Sequence, residues 1–385
     1  GAFSSSLLDD VAQVVISPGL SLQEPVVREA LARGLPVVGD IELFARAAPA
    51  PIAAITGTNG KSTVTTLVSE LANAGGRRAL AGGNLGEPAL DLLAHATPDL
   101  YVLELSSFQL ETTHSLRTVA ATVLNVTPDH MDRYASLEEY GAAKARIFDG
   151  CDVAVINADD PAVRGMPRPG QAVVSFSLES RAADYTLERL PAPMIVRRGE
   201  PLLPLAAMRL QGLHNAANAM AALALAEALE LPLGPALEAL CAFGGLPHRS
   251  QWVADVRGVR YVNDSKGTNV GATLAAVRGL AGPLVVIAGG DGKNQDFSAL
   301  RDAFRGKVRH VVLIGRDAPA LEAALADVCV TERATDMPAA VRAAQAVAQP
   351  GDTVLLSPAC ASLDMFRDYT HRGDEFAAAV RSLAA

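Results

Sequence analysis

The chain has 385 residues, of which 50% are hydrophobic and 19% are charged. This composition is ordinary for globular protein, which excludes disorder as the main state, and the length suggests two or three domains. Lys and Arg number 33 against 42 Asp and Glu, giving a formal net charge of −9, and only 4% of residues are aromatic. Nonspecific nucleic-acid binders are normally basic and stack bases on aromatic rings, so nucleic acid is not expected as a partner.

Four cysteines are spread along the chain without a C-x-x-C motif, at Cys151, Cys241, Cys329 and Cys360. A chain of this length needs no disulfides to be stable, so we expect a reducing, cytoplasmic location. No apolar run reaches the 18 residues that predict a membrane span, and the first residues lack the pattern of a signal peptide. We also expect a monomer.

Residues 1–40 contain too little chain for an independent domain. Apolar runs predict strands over 11–16 and 35–38, with a helix over 24–33 between them. The first strand ends at the turn Ser17-Pro18-Gly19. This region is interpreted as the remnant of a larger, Rossmann-like α/β unit.

Residues 41–245 are predicted to form a central domain in which apolar strands alternate with helices. The predicted strands are 52–55, 100–105, 120–126 and 153–157, and the predicted helices are 61–74, 137–148 and the Ala-rich 215–229. Continuous apolar strands of this kind indicate a mostly parallel sheet covered on both faces, like that of a P-loop ATPase. Short runs between 171 and 211, broken by Pro and Gly, predict a small β appendage.

A linker over 243–248 predicts a boundary near residue 245. Residues 246–385 return to alternating strands and helices, with strands at 259–262, 284–288, 308–314 and 353–356. This pattern predicts a second, Rossmann-like α/β domain. The expected fold class is therefore multidomain α/β.

The clearest local motif is Thr56-Gly-Thr-Asn-Gly-Lys-Ser-Thr63, placed between a predicted strand and a predicted helix. Glycines let the backbone approach a phosphate closely, and a helix N-terminus offers unpaired N–H groups. Lys61 can then reach the terminal phosphates, and the hydroxyl of Ser62 or Thr63 can bind Mg²⁺. Ile55 stands where the strict P-loop pattern requires glycine, so a Gly-rich turn with a surface lysine stays an alternative.

Two further residues lie at predicted strand ends, where α/β sheets place their ligands. Glu104 closes one strand and His130 follows another. A carboxylate suits Mg²⁺ and one imidazole is tolerable. Taken alone, Glu104 is equally well explained as an ordinary charge at a strand end. Taken alone, His130 is somewhat better explained as a capping or core histidine.

Other candidates are weaker when taken singly. Lys144 on its own is typical of a solvated helix lysine. Arg249 could stabilise phosphoryl charge, and Asp264 could bind ribose hydroxyls or metal-bound water. The segments 289–293 and 357–362 are typical of anion-binding turns and equally of plain turns; Cys360 has no marked histidine partner, which disfavours a thiol nucleophile. The residues alone thus indicate a multidomain α/β protein that uses ATP, without identifying its substrate.

Taken together, six segments resemble the Mur ligase family, and in particular its D-glutamate-adding branch. They are Thr56–Ser62, Tyr101–Glu111, Asn125–Arg133, Gly245–Arg249, Asn263–Asn269 and Leu356–Phe366. The resemblance runs from about Ser17 to the C-terminus. Its ATP loop is shared with folylpolyglutamate synthases.

The resemblance implies an ATP-dependent ligase that joins D-glutamate to UDP-N-acetylmuramoyl-L-alanine during peptidoglycan precursor synthesis, with ties to cell shape and division. In the family, ATP phosphorylates the substrate carboxylate to an acyl phosphate, the amine of glutamate attacks, and phosphate leaves. The cofactors implied are ATP and Mg²⁺ at two sites.

The resemblance also implies roles for individual residues. Lys61 would hold the β and γ phosphates, Glu104 and His130 would bind metal with Ser62 or Thr63, and Lys144 would be carbamylated to N6-carboxylysine as a further metal ligand. ATP would contact Gly57, Thr58, Asn59, Gly60, Lys61, Ser62, Thr63, Asn218, Arg249 and Asp264, with Asn215 as a neighbour. D-Glutamate would contact Thr268, Lys293, Ser362, Leu363 and Tyr369, the last of which is more often Phe in the family. The muramoyl substrate would contact Ser17, Pro18, Gly19 and Asn84.

One departure from the family concerns the N-terminus. The family's first domain opens with a β-α unit whose Gly-rich loop holds the uridine diphosphate, and this sequence begins after it and without Met. Either the sequence is truncated or this unit lies outside the residues given. Both possibilities leave tight binding of the UDP-linked substrate open, whereas the ATP and D-glutamate sites are expected to be whole. Three alternatives remain: a folylpolyglutamate synthase, a nucleotide-binding regulatory module without catalysis and, least favoured by the charge, a nucleic-acid-dependent P-loop motor.

Overall fold

The chain builds two large sheets, each at the centre of its own compact unit. The structure is a computed structural model that describes residues 3–131, 133–189, 192–210, 212–280 and 282–384. The first unit comprises the chain up to Val126 together with Arg133–Leu210 and Asn215–Phe243. The second comprises Thr127–Asp132, Gln211–His214 and Gly244–Ala385. The predicted three-part division at residues 40 and 245 stays a prediction.

The first unit contains two sheets and the helices that flank them. Its strands are β1 (Val14–Val15), β2 (Val37–Val38), β3 (Ile52–Thr56), β4 (Ala79–Gly83), β5 (Leu100–Glu104), β6 (Thr118–Val123), β7 (Cys151–Asn157), β8 (Ala172–Ser177), β9 (Tyr185–Glu188), β10 (Met194–Arg197) and β11 (Glu200–Pro204). Its helices, wholly or mostly, are α1 (Pro25–Ala32), α2 (Asp40–Ala47), α3 (Lys61–Ala74), α4 (Ala89–Leu92), α5 (Ser107–Glu111), α6 (Leu137–Ala145), α7 (Pro161–Arg164), α8 (Leu213–Ala228) and α9 (Leu233–Ala242). Short 3₁₀ turns lie at Ser5–Leu8, Arg146–Phe148 and Leu205–Ala207.

Strand β3 lies inside the larger sheet, whose order is β11-β10-β9-β8-β7-β6-β3-β5-β4. The strands from β4 to β9 are parallel, whereas β9, β10 and β11 pair antiparallel at one edge. The predicted β appendage is thus a continuation of the central sheet. Chain order diverges on the two sides of β3, which is the point where parallel sheets bind ligands. The separate sheet pairs β1 with β2 in parallel.

The second unit has one six-stranded sheet. Its strands are β12 (Gln251–Val256), β13 (Val259–Asn263), β14 (Leu284–Gly289), β15 (Val308–Ile314), β16 (Val330–Arg333) and β17 (Thr353–Leu356), and its helices are α10 (Val270–Gly279), α11 (Leu300–Phe304), α12 (Ala318–Leu325), α13 (Met337–Val347) and α14 (Tyr369–Ala384). The order is β12-β13-β17-β14-β15-β16, parallel except for the β12–β13 pair.

Helices cover both faces of this sheet, so that successive side chains of β14 lie in two different hydrophobic cores. Val286 and Ala288 point into one core, whereas Val285 and Ile287 point into the other. All four side chains are fully buried. The continuous apolar run predicted for this strand is therefore the signature of a doubly covered parallel sheet.

The predicted and observed elements differ in specific places. The long strand predicted over 11–16 is confined to Val14–Val15, and β6 ends at Val123 rather than at residue 126. Strand β6 stops early because Asn125 bonds to the loop after β3 instead of continuing a ladder. Helices α2, α4, α5, α7 and α9 and strands β4, β12 and β16 had no predicted counterpart. None of the helices in the described ranges combines the length and apolar character needed to cross a bilayer.

Candidate active site

The loop between β3 and α3 has the geometry of a phosphate-binding loop. Gly60 is the N-cap of α3 and adopts a left-handed φ of +86°. Since glycine has no side chain to cover the first N–H groups of the helix, the positive end of α3 is open to an anion. The helix begins at Lys61, as the sequence predicts.

Asn125 fixes the shape of this loop from the end of β6. Its carbonyl accepts the backbone N–H of Thr58 at 2.9 Å. Its side-chain Oδ1 accepts the N–H of Asn59 at 2.8 Å, and its Nδ2 donates to the Asn59 carbonyl at 3.1 Å. Asn125 was not among the predicted site residues, although an amide directly after a buried strand was the available signal.

Two lysine side chains converge on the carbonyl oxygen of Gly57. Lys61 Nζ donates to it at 2.9 Å and to the Thr58 carbonyl at 3.0 Å. Lys144 Nζ donates to the same Gly57 oxygen at 3.0 Å and lies 4.4 Å from the centroid of the Tyr140 ring. Lys144 is only 1% exposed, so its interpretation as a solvated helix lysine is wrong.

Glu104 ends β5 beside this loop's strand and is 3% exposed. Its Oε1 accepts the side-chain amide of Asn84 at 2.7 Å. Its Oε2 is buried and has no hydrogen-bond partner within the described ranges. A buried carboxylate oxygen without a partner is costly, and a bound cation would satisfy it.

These donors fit Mg²⁺ that arrives with a nucleotide. The hydroxyl-bearing Ser62 and Thr63 are buried in the first turn of α3, and Glu104 supplies a carboxylate. Across the described residues no group of three or more His, Cys, Asp or Glu could hold an ion alone. Mg²⁺ commonly takes one or two carboxylates and completes its shell with phosphates and water, so this sparse set suits it.

Two asparagines of α8 adjoin the phosphate loop. Asn218 Nδ2 donates to Asn215 Oδ1 at 3.3 Å. Asn218 Oδ1 lies 2.6 Å from the position that a Cβ atom on Gly60 would occupy. The predicted ATP contact Asn218 therefore lies against the loop, with Asn215 beside it.

The predicted muramoyl contacts Ser17, Pro18 and Gly19 form a turn after β1, held by an arginine that sequence reasoning missed. Arg133 donates to the carbonyl of Pro18 at 2.9 Å and to that of Leu20 at 3.2 Å. The same guanidinium pairs with Glu111 at 2.8 Å.

The other predicted residues belong to the second unit. His130 has a left-handed φ of +57°, and its Nε2 lies 3.8 Å from Asp129 Oδ2. Asp129 also forms an ion pair with Lys293 Nζ at 2.8 Å and accepts a hydrogen bond from Asn269 Nδ2 at 3.1 Å. The interpretation of His130 as a core histidine is wrong, since its side chain is 37% exposed in a loop.

Three neighbouring strands, β13, β17 and β14, end at the same edge of the second sheet. The loops that follow them carry four of the remaining predicted substrate residues, which are Thr268 after β13, Lys293 after β14, and Ser362 and Leu363 after β17. The fifth, Tyr369, begins α14. Ser362 is buried, whereas Leu363 is 73% exposed. The Lys266 ammonium, which was not predicted, lies 3.9 Å from the Tyr369 ring centroid.

Asp264 is buried in the β13 loop beside the predicted ATP contact Arg249. It accepts hydrogen bonds from Ser357 Oγ at 2.8 Å and from the N–H of Ser250 at 3.0 Å. Burial outweighs these bonds and raises the pKa of Asp264 to about 6. Its carboxylate is therefore mostly ionised at neutral pH and becomes protonated under mildly acidic conditions.

Arg372 of α14 connects two of these loops and was also missed. Its fully buried guanidinium donates to Ser265 Oγ and O and to the carbonyls of Cys360 and Ala361. Burial lowers the pKa of Arg372 to about 10. Burial also raises the pKa of the Cys360 thiol to about 12, which agrees with the expectation that Cys360 is no nucleophile.

The fold defines the class, a multidomain α/β protein, and the loop before α3 has a geometry that suits a phosphate group. Two family models match it, the Mur ligase middle domain over residues 55–226 and the Mur ligase glutamate ligase domain over residues 248–360. The chain belongs to the Mur ligase family. As a member it is an ATP-dependent ligase, which also implies Mg²⁺.

Several curated relatives align with the whole chain. The UDP-N-acetylmuramoylalanine–D-glutamate ligase of Nitrosococcus oceani is 54% identical, and the chain covers 85% of its length. The enzyme of the same name from Methylococcus capsulatus is 53% identical, with 84% of its length covered. The sequence expectation of the family is thereby confirmed.

Solved structures support the fold. MurF ligase from Thermotoga maritima in complex with ADP superposes with a TM-score of 0.70 at 15% identity, covering 97% of each chain. The UDP-N-acetylmuramate–alanine ligase MurC of the same organism gives a TM-score of 0.66 at 20% identity, covering 98% of this chain and 87% of the other. At these identities the likeness shows the fold alone.

Gly60→Ala tests the phosphate loop. The added Cβ would meet Asn218 Oδ1 and the residue would be held at a φ that L side chains avoid, so the loop must shift. We expect binding of a nonhydrolysable ATP analogue to weaken at least tenfold by calorimetry while the far-UV spectrum is retained.

Gly76→Ala is the matched control, because Gly76 has a φ of +84° and, apart from its chain neighbours, no described residue has a heavy atom within 4 Å of an added Cβ. This variant should lose about 1 kcal/mol of stability and keep its nucleotide affinity. Equal nucleotide affinity in both variants would contradict the assignment of the loop.

Proposed function

We propose that the chain forms the amide bond between D-glutamate and UDP-N-acetylmuramoyl-L-alanine, with hydrolysis of ATP to ADP and phosphate, in peptidoglycan precursor synthesis. The catalytic part is supported by the loop before α3, where a half-buried Lys61 and a buried Lys144 meet. It is also supported by the buried Glu104 Oε2, which has no hydrogen-bond partner among the residues that the structure describes. The substrates follow from the names of the full-length relatives.

The chemistry requires activation of a carboxylate, which is a poor electrophile. An oxygen of the alanyl carboxylate attacks the γ-phosphorus of ATP, the bond to the β-γ bridging oxygen breaks, and ADP leaves. The D-glutamate amine then attacks the acyl carbon, loses a proton, and the C–O bond to phosphate breaks. The demand on the protein is neutralisation of negative charge at the transferring phosphoryl group.

The loop residues fit this demand. Lys61 would leave the carbonyls of Gly57 and Thr58 for the β and γ phosphates, and the N–H groups of Gly57, Thr58, Asn59 and Gly60 would cradle them. Asn218, Arg249 and Asp264 would contact the rest of ATP. Ser62, Thr63, Glu104 and His130 would hold Mg²⁺ at two sites, and Mg²⁺ would neutralise charge that develops on the phosphoryl oxygens.

The substrates would be held by the remaining residues. The turn Ser17-Pro18-Gly19 and Asn84 would face the muramoyl substrate. Lys293, which pairs with Asp129 in the structure, would exchange this partner for a carboxylate of D-glutamate. Thr268, Ser362, Leu363 and Tyr369 would lie around it. We further propose a monomer acting in the cytoplasm, where both nucleotide substrates are available.

Lys144 would act as its carbamate. Two ammonium groups on one carbonyl oxygen repel each other in a buried setting, and carbamylation would replace one of them with an anion. The anion would neighbour Lys61 and could support a metal ion. This proposal rests on the shared Gly57 acceptor.

Phosphate release tests the function. We expect release from ATP and Mg²⁺ to require both UDP-N-acetylmuramoyl-L-alanine and D-glutamate, and not to occur when L-glutamate replaces the D isomer. Lys61→Ala and Glu104→Gln should each lower the rate at least about 100-fold, since each removes charge stabilisation at the phosphoryl group.

The matched controls are Lys307→Ala and Glu200→Gln, which change the same residue types outside the site and should keep near-wild-type turnover. Turnover of Lys61→Ala at the wild-type rate would refute the mechanism. ATP binding by the wild-type protein without release under any substrate condition would favour the regulatory module instead.

Carbamylation of Lys144 has its own test. With ¹³C-bicarbonate present, the wild-type protein should show a carbamate resonance that Lys144→Ala lacks. Lys144→Ala should also lose ligation and regain part of it when acetate or propionate is added, whereas Lys61→Ala should not. A wild-type spectrum without the resonance, or equal rates for Lys144→Ala and wild type, would dismiss the carbamate.

A further inference from the structure

Asp317, the residue before α12, does not cap its helix as an aspartate in this position normally does. Asp317 occupies the N-cap of α12 but makes no side-chain bond to its own helix. Aspartate at an N-cap normally accepts the N–H of the second or third helical residue. Asp336, at the N-cap of α13, does so by accepting the N–H of Ala339 at 2.7 Å.

The Asp317 carboxylate bonds to a neighbouring loop instead. Its Oδ2 accepts the backbone N–H of Gly292 at 2.6 Å. Its own backbone N–H donates to the carbonyl of Gly290 at 3.0 Å. Two bonds thus tie the N-cap of α12 to the loop that carries Lys293.

Arg316 adds two more contacts from the same turn. Its guanidinium pairs with Asp291, whose Oδ1 also accepts the N–H of Lys293 at 3.0 Å. Its backbone N–H donates to Asp364 Oδ2 at 2.8 Å. We call residues 315–317 the brace turn; it contacts both the loop after β14 and the loop after β17.

The braced loop needs such support. Lys293 and the following Asn294 have φ values of +50° and +57°, a left-handed conformation that costs free energy for residues with side chains. Gly315 of the brace turn comes so close that a Cβ there would lie 2.6 Å from Gly290 Cα. A strained backbone persists only where its surroundings over-determine it.

We propose that Asp317 is a positioning residue that holds the 290–293 loop so that the Lys293 ammonium meets a carboxylate of the acidic amino-acid substrate. The inference rests on the proposed function of Lys293. It explains why Asp317 bonds to Gly292 instead of capping its own helix. Asp317 touches no substrate, so its loss should weaken binding of the amino acid and leave the ATP site unchanged.

The test compares Asp317→Ala with Asp317→Asn, whose amide oxygen can still accept the Gly292 N–H. Asp336→Ala is the control, since it removes a carboxylate cap in the same unit without touching the loop. Each purified protein is assayed for kcat, for KM of D-glutamate and ATP, and for Tm.

We expect Asp317→Ala to raise KM for D-glutamate about tenfold with KM for ATP unchanged, and Asp317→Asn to stay within about threefold of wild type. Asp336→Ala should lower Tm with both KM values unchanged. A lower Tm for Asp317→Ala without a change in KM for D-glutamate would overturn the proposal. Wild-type protein that releases no phosphate with D-glutamate would instead refute the proposed function.

Discussion

The carbonyl oxygen of Gly57 accepts hydrogen bonds from both Lys61 and Lys144, and the architecture of the first unit is arranged around this meeting point. The left-handed Gly60 leaves the N-terminus of α3 open. Asn125, which follows β6, bonds to the loop after β3 and so fixes its shape. The result is an open helix N-terminus and the Lys61 ammonium at the point where β3 ends, next to the Glu104 carboxylate at the end of β5. This combination suits a triphosphate that arrives with Mg²⁺.

In the second unit, too, side-chain hydrogen bonds fix the loops that carry the proposed site residues. The loops that carry its proposed substrate residues follow β13, β14 and β17, and an isolated β-bridge between Asp291 and Ala361 joins the last two. Arg372, buried and bonded to four oxygen atoms, joins two of these loops, and the brace turn supports the third. In both units a side chain at the end of a strand or helix forms hydrogen bonds to a neighbouring loop instead of extending or capping its own element. The examples are Asn125 after β6 and Asp317 before α12. Such departures from local rules concentrate at functional sites.

The parts of the fold and of the candidate site that a short stretch of sequence determines could be predicted. Helix α3 and its loop were predictable because a glycine pair, a lysine and an apolar helix follow a buried strand, and β14 because its apolar run is uninterrupted. The burial of Lys144 was not predictable, because the helix α6 around it has mixed polarity and its position depends on Gly57, 87 residues away. Strand β12 was missed because its outer positions are exposed and it forms only by pairing with β13. Asn125, Arg133, Arg372 and Asp317 act through contacts distant in sequence, which no local pattern encodes.

We propose that a phosphoryl group is transferred from ATP to a carboxylate at the loop around Gly57. Oxygen-isotope transfer tests this most directly. UDP-N-acetylmuramoyl-L-alanine labelled with ¹⁸O in its alanyl carboxylate is turned over with ATP and D-glutamate, and the released phosphate is analysed by mass spectrometry. The acyl-phosphate route predicts one labelled oxygen in the phosphate for each amide bond formed. Phosphate without label, released alongside the amide product, would contradict it.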